Sequence, residues 1–363
     1  MKTTDQVVSF QKKLAQYKKI LDQDVESYSR ILLADTTEQF GERSALAVEA
    51  FTSILERGGK RIRGALVMVG YEMSGGKDMK MALAAARAVE MMHAYILMID
   101  DIQDRSSTRR GGDSAHIIIQ KHHENLHLAG DSAHFGISLA LNGALFGVHN
   151  AQIVLGSLDV EPAYKLTASQ IINRTMMITA HGQTNDVYNE ASADVSESDI
   201  TNVLNWKTAQ YTFVGPIQAG MALAGASDEQ REEVVAYGKA AGFAFQITDD
   251  IMGIFGEEAK TGKSQMDDIK EGKRTLLIAY ALEHADSAGK NFLISQLGNE
   301  HITLAQFERV KEVILQTGAL EYAKNKAQEY VEQALNCLND IEIEDEHREF
   351  LGGLAKALID RKN

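Results

Sequence analysis

The chain has 363 residues, 44% of them hydrophobic, and a formal net charge of −14. That acid excess argues against nucleic acid as a partner. A single cysteine, Cys337, excludes an intrachain disulfide and fits a reducing, cytoplasmic setting.

Only two prolines, Pro162 and Pro216, interrupt the chain, which favours long helices because an interior proline breaks the hydrogen-bond ladder. The opening MKTTDQVVSFQKKLAQYKK is polar, helical in pattern and without an apolar leader core. Apolar residues then recur at helical spacing in AVEAFTSILE, MKMALAAARAVEMMHAYILMID, ASQIINRTMMITAHGQTNDVY and DITNVLNWKTAQYTFVGPIQAGMAL. SDEQREEVVAYGKAAGFAFQITDD opens on a capping serine, Ser227, followed by acids in the first turn. The last third continues in helical pattern through TLAQFERVKEVILQTG, ALEYAKNKAQEYVEQALNCLND and DEHREFLGGLAKALIDRK. Loops are marked by glycine: RGGKRIRG, STRRGGDS, FGEEAKTGKSQ and IKEGKRT. The expectation is one all-α domain over residues 1–363, without strands, linkers, repeats or a membrane-spanning run of about 18 apolar residues.

The chemistry gathers at two helix ends. In HAYILMIDDIQDRSSTRRGG an apolar run ends in Asp100, Asp101 and Asp104, with Ser106–Thr108 read as the end of the helix. Asp100 and Asp104 share a face at i, i+4. Carboxylates there repel one another and the negative end of the helix dipole. A solvated helix end accounts for them; so does an Mg²⁺ site, since hard cations take oxygen ligands and share them with phosphates. GFAFQITDDIMGIFG repeats the theme with Gln246, Asp249 and Asp250, but Gly253 stands where a third carboxylate would complete the copy. Basic residues lie in the glycine-marked segments: Lys60, Arg61 and Arg63, then Arg109 and Arg110, then Lys263 and Lys273. Lys60 and Arg63, three apart, are read as sharing a face, without the spacing of a Walker A loop. Guanidinium forks suit phosphate oxygens, and lysines act as point charges. Two acidic clusters with three basic loops point to two diphosphates, at least one held through Mg²⁺.

On these residues the chain resembles the trans-type (E)-polyprenyl diphosphate synthases, with motifs in the family's order from about Gly58 to Thr275. The resemblance implies a large helical bundle of the isoprenoid synthase type with a central substrate cavity, and a homodimer. It also implies a trio of Mg²⁺ ions once substrate is bound. Asp100, Asp101 and Asp104 match the first aspartate motif, with Asp100 and Asp104 the main metal ligands. Arg109 matches the grip on the allylic diphosphate. Lys60, Arg63, His93 and Arg110 match the pocket for isopentenyl diphosphate. Lys207 and Thr208 match the pair beside the allylic carbon, lysine on the leaving diphosphate and threonine oxygen facing the nascent cation. Gln183 and Asp186 match the Gly-Gln-x-x-Asp element. Gln246, Asp249 and Asp250 match the second motif, with Asp249 the further metal ligand, and Lys263 matches another diphosphate lysine. Two departures stand out: Gly64 replaces the proline of GGKRxRP, a change expected to be harmless, and Gly253 replaces an aspartate.

The implied reaction is ionisation of an allylic diphosphate (dimethylallyl, geranyl or farnesyl), attack by isopentenyl diphosphate, and proton loss. The product is expected to be geranylgeranyl diphosphate (C20), with farnesyl diphosphate (C15) as the alternative. A terpene cyclase would not need Lys60, His93 and Arg110, and a non-catalytic synthase subunit would have lost the first aspartate motif. Tyr95, about 7–8 Å before Asp100 along a helix rising 1.5 Å per residue, is the expected floor of the tail pocket. Met91 lies one turn deeper. Tyr95→Ala is therefore expected to lengthen the products, with Met91 limiting the gain; an unchanged chromatogram of dephosphorylated products would show that Tyr95 is not the floor.

Overall fold

The computed structural model describes residues 3–192, 194–256 and 264–360. As the periodicity requires, most of these are helical. The helices are α1 (Thr3–Phe40), α2 (Glu42–Glu56), α3 (Ile62–Met73), α4 (Met79–Gln103), α5 (Ala115–Asn125), α6 (Ser132–Gly156), α7 (Pro162–Ala191) and α8 (Glu197–Val203). A π-helix (Leu204–Val214) leads into α9 (Gly215–Leu223) and α10 (Asp228–Phe255). The remainder are α11 (Asp267–Glu271), α12 (Leu276–His284), α13 (Ser287–Gln296), α14 (Leu304–Gln316), α15 (Ala319–Cys337) and α16 (Asp345–Ile359). Ser227 caps α10 in a full capping box with Gln230.

Three local expectations are corrected. α4 stops at Gln103, before the serines, and Asp104 is its cap. The segment after it contains a short antiparallel hairpin, β1 (Thr108–Arg109) and β2 (Gly112–Asp113), where no strand was expected. Its two central residues, Arg110 and Gly111, both have positive φ, 50° and 75°, the backbone of a type I′ turn. Glycine takes that conformation freely, so the RRGG quartet can turn within two residues. Lys60 lies in the loop before α3, not on a helix with Arg63.

The chain divides into two compact units, residues 12–170 with 216–226, and residues 1–11, 171–215 and 227–363. In the first, α4 is the central helix, packed by α2, α3 and α6, with α5 on α6. Small residues set these spacings. A side chain at Gly70 would collide with the Ile217 carbonyl, and one at Gly220 with the Val67 carbonyl, so α3 and α9 meet backbone to backbone. In the second, α10 packs on α15 and on the π-helix, and the buried Tyr237 hydroxyl donates to the Leu351 carbonyl at 2.8 Å. Against the expectation of no membrane-length run, α4 and α6 are long and apolar enough to cross a membrane by length and composition; most of that window in α4 is buried within the protein.

Filling the α3–α9 contact should be costly. Gly220→Val is expected to lose about 1–3 kcal/mol, while Gly156→Ala, with nothing within 4 Å of the added carbon, should change stability by less than about 0.5 kcal/mol. Urea midpoints of the two variants test the contrast.

Candidate active site

In the unit containing residues 12–170, the last turn of α4 carries Asp100, Asp101 and Asp104. Asp101 is 0% exposed. A charge so deep needs a partner, and Arg109 supplies it: Nε donates to Asp101 Oδ1 at 2.7 Å, and Nη2 donates to the same oxygen and to Asp100 Oδ2 at 3.2 Å. Burial opposes the charge on Arg109, but the carboxylates, Asp101 foremost, outweigh it and raise its pKa. The middle aspartate is thereby committed to holding the hairpin. Arg57 secures the same hairpin, donating to the carbonyls of Arg109 at 3.2 Å and Asp113 at 2.5 Å.

The type I′ turn places Arg110 back over the glycine loop. Its guanidinium donates to the Gly58 carbonyl and lies 3.1 Å from His93 Nε2, while Arg63 Nη1 is 3.4 Å from the same nitrogen. Gly59 makes room: a side chain there would come within 2.8 Å of Arg110 Nη2. Burial and then the surrounding arginines, Arg63 and Arg110 first, hold His93 well below its ordinary pKa, so the ring is neutral at pH 7. Burial likewise brings Arg110 down to about 10, with Glu90 opposing and Arg61, Arg63 and Arg109 contributing. Bringing guanidiniums together around a neutral ring is unfavourable until an anion enters. Lys60 is exposed beside this cradle in sequence.

Arg61, from the same basic segment, does something else. It is buried, with Nε on Asp22 at 2.8 Å, Nη1 on Glu90 at 3.0 Å and Nη2 on the Leu55 carbonyl at 2.8 Å. Glu90 also accepts the backbone N–H of Gly64 at 2.9 Å. A proline at 64 has no such donor, so glycine here supplies a tether that the resembling motif's proline could not.

In the other unit, Lys207 and Thr208 lie on the π-helix, a geometry that recurs at functional sites. Lys207 Nζ donates to Asp186 at 2.6 Å, and Thr208 Oγ1 donates to Gln246 Oε1 at 2.7 Å. Gln246 Nε2 in turn donates to Asp250 Oδ1 at 2.7 Å. Asp249 is exposed. Burial pushes the Asp250 carboxyl well above the carboxylate range; the Gln246 bond opposes this, and Asp268, Asp249 and Asp186 add to it.

Asp268 was missed in the sequence, though QMDDIKEGK holds a third paired-aspartate signal. It comes from α11, and its carboxylate fills the room that a side chain at Gly253 would need. The apparent gap in the second motif is therefore occupied by an acid from another helix. Lys273 pairs with Glu271 at 2.6 Å and lies 3.8 Å from Asp268. Lys263 lies outside the described residues. Tyr95 is half-buried and Met91 wholly buried on α4.

The donors present suit a hard divalent cation. Asp100 and Asp104 offer oxygen ligands on one turn, with Asp101 withdrawn to Arg109. Among the described residues no three His, Cys, Asp or Glu side chains form a ready-made cage. That pattern fits an ion such as Mg²⁺, which completes its shell with water and phosphate oxygens.

Residues 44–314 match the family described as Polyprenyl synthetase. The chain is 34% identical over 316 residues to the geranylgeranyl diphosphate synthase of Saccharolobus solfataricus, covering 86% of this chain and 90% of that one. It is 30% identical to the geranylfarnesyl diphosphate synthase of Aeropyrum pernix, covering 85% and 92%. A solved geranylgeranyl pyrophosphate synthase from Corynebacterium glutamicum, complexed with isoprenyl diphosphate and magnesium, matches with a TM-score of 0.91 at 29% identity, covering 96% of this chain and 99% of that one.

Restoring an aspartate at 253 should harm this chain. Gly253→Asp forces a second carboxylate onto Asp268, and thermal melting should fall by several degrees; an unchanged or raised melting temperature would show that Asp268 does not fill the gap.

Proposed function

The chain belongs to the polyprenyl synthetase family, and we propose that it condenses isopentenyl diphosphate with allylic diphosphates to make a short (E)-polyprenyl diphosphate, geranylgeranyl diphosphate (C20) as the main product. The observation that carries this reading is the cradle at His93, where Arg63 and Arg110 converge on a neutral imidazole. Such a cradle suits the diphosphate of a second, non-ionising substrate, which a cyclase does not need.

In this reading Arg109, its charge locked on by Asp101, holds the allylic diphosphate. Lys207, oriented by Asp186 within its own unit, supplies a fixed cation for a diphosphate. A divalent cation held by Asp100 and Asp104 would neutralise charge building on a departing diphosphate, and Asp249 would serve a separate cation. Thr208 and Gln246 provide neutral oxygen atoms near the carbon that becomes positive. Fixed dipoles and charges of this kind act without reorganising during the reaction. Apolar residues of α4 exclude water from the cation. Tyr95, half-buried above the wholly buried Met91, supports a tail pocket of limited depth. We also propose a homodimer, supported by the exposed Leu141, Leu145 and Ile153 along α6.

The test is product analysis. Purified chain, Mg²⁺ and isopentenyl diphosphate are incubated in turn with dimethylallyl, geranyl and farnesyl diphosphates, and dephosphorylated products are identified by mass spectrometry. C20 alcohol is expected; C15 as the end point would retain the reaction and change its length, and no condensation with any primer would reject the reading. Asp100→Asn and Asp104→Asn are each expected to lower kcat about a hundredfold or more.

A further inference from the structure

We propose that Asp250 is a positioning residue that sets the hydrogen-bond direction of the Thr208–Gln246 pair, so that Thr208 offers oxygen lone pairs, not its proton, to the reacting carbon. The inference rests on the condensation reaction proposed above.

The argument turns on which atoms can donate. A glutamine amide has one end that only accepts and one that only donates. Gln246 and Asp250 are four residues apart on α10, so one end of the amide must meet the acid. In the observed arrangement Asp250 Oδ1 is the acceptor. The amide nitrogen therefore turns to Asp250, at 2.7 Å, and the amide oxygen turns to Thr208, also at 2.7 Å. Thr208 has one hydroxyl proton, and it is spent on that oxygen. The remaining lone pairs are what the hydroxyl can show to a substrate.

The surrounding packing keeps the hydroxyl in place. Thr208 is buried, and the next residue, Ala209, lies against Gly242, where any added side chain would strike its backbone. Gly182 brings α7 equally close to the backbone of Lys207. The neighbouring acids Asp186, Asp249 and Asp268 all act on the Asp250 carboxyl. If the amide were reversed, Thr208 would become the acceptor and point its proton at developing positive charge. A dipole in that sense raises the barrier to ionisation.

An asparagine at 250 can present either oxygen or nitrogen, so it frees the amide to turn over. The experiment is a double-mutant cycle of Asp250→Asn with Thr208→Val, read as kcat and KM for geranyl and isopentenyl diphosphates with Mg²⁺. Asp250→Asn alone should lower kcat about tenfold and leave both KM values within twofold. In the Thr208→Val background, where there is no hydroxyl to orient, the same change should cost less than twofold. An equal loss in both backgrounds, or a raised KM with unchanged kcat, would overturn the proposal. Asp250→Glu keeps a carboxyl and, unlike asparagine, has no amide nitrogen, and should retain more of kcat than asparagine; emission from Trp206, the single tryptophan, together with the melting temperature, reports whether each variant is folded. If the unaltered chain does not condense its substrates, the proposed reaction fails, and the relay is then read by NMR. The Gln246 side-chain amide should exchange slowly in the parent and faster with Asp250→Asn; equal rates would reject the relay.

Discussion

A carboxylate with no exposure, Asp101, sits at the negative end of α4 between two other aspartates. Each of these circumstances works against its charge: burial, the helix dipole and its neighbours. The pair with Arg109 resolves all three, and much of the local architecture follows from it. Arg109 must reach back across eight residues, which requires the chain to reverse at once. The positive φ angles of Arg110 and Gly111 allow that reversal. Once the hairpin is made, Arg110 lies on the Gly58 carbonyl and beside His93. One buried ion pair thus fixes both the acidic end of α4 and the position of the anion cradle.

The cradle has its own support. Arg61, in left-handed conformation at the start of α3, is anchored between Asp22 and Glu90. It belongs to a run of basic residues but binds Asp22 and Glu90, while Arg63 Nη1 lies 3.4 Å from His93 Nε2. A buried arginine bonded to two acids and a carbonyl is a structural cation, because each of its nitrogens is engaged by the fold. This division of labour within KRIR keeps the pocket cationic while holding it still.

In the other unit the acids are handled differently. Among the described residues no arginine is paired with Asp250; its proton affinity is raised by burial and by like charges, and its bond to Gln246 is a neutral amide contact. Asp186 takes Lys207. Asp268 enters the space beside Gly253, so the acid that the motif lacks on α10 is supplied by α11. The π-helix allows two successive residues, Lys207 and Thr208, to reach separate partners on α7 and α10.

Helix type, the two acid-ended helices and the basic loops were legible in the sequence, because periodicity and residue spacing act over a single turn and leave a local trace. Ser227 as a cap, Asp100 and Asp104 on one face, and the family motifs all belong to that class. The hairpin after Asp104 was not legible: two-residue strands carry no periodicity, and RRGG reads equally as an open loop. Nor could composition distinguish Arg61 from Arg63, or show that Asp101 is consumed by Arg109, because burial and partner choice depend on residues 8 to 39 positions away. Gly253 read as a loss until Asp268 was seen to occupy its space. Sequence alone determined which chemical groups are present and in what local order; tertiary structure decided which charges are spent on the fold and which remain for a substrate, since only packing sets how far each charge lies from water and from its opposite.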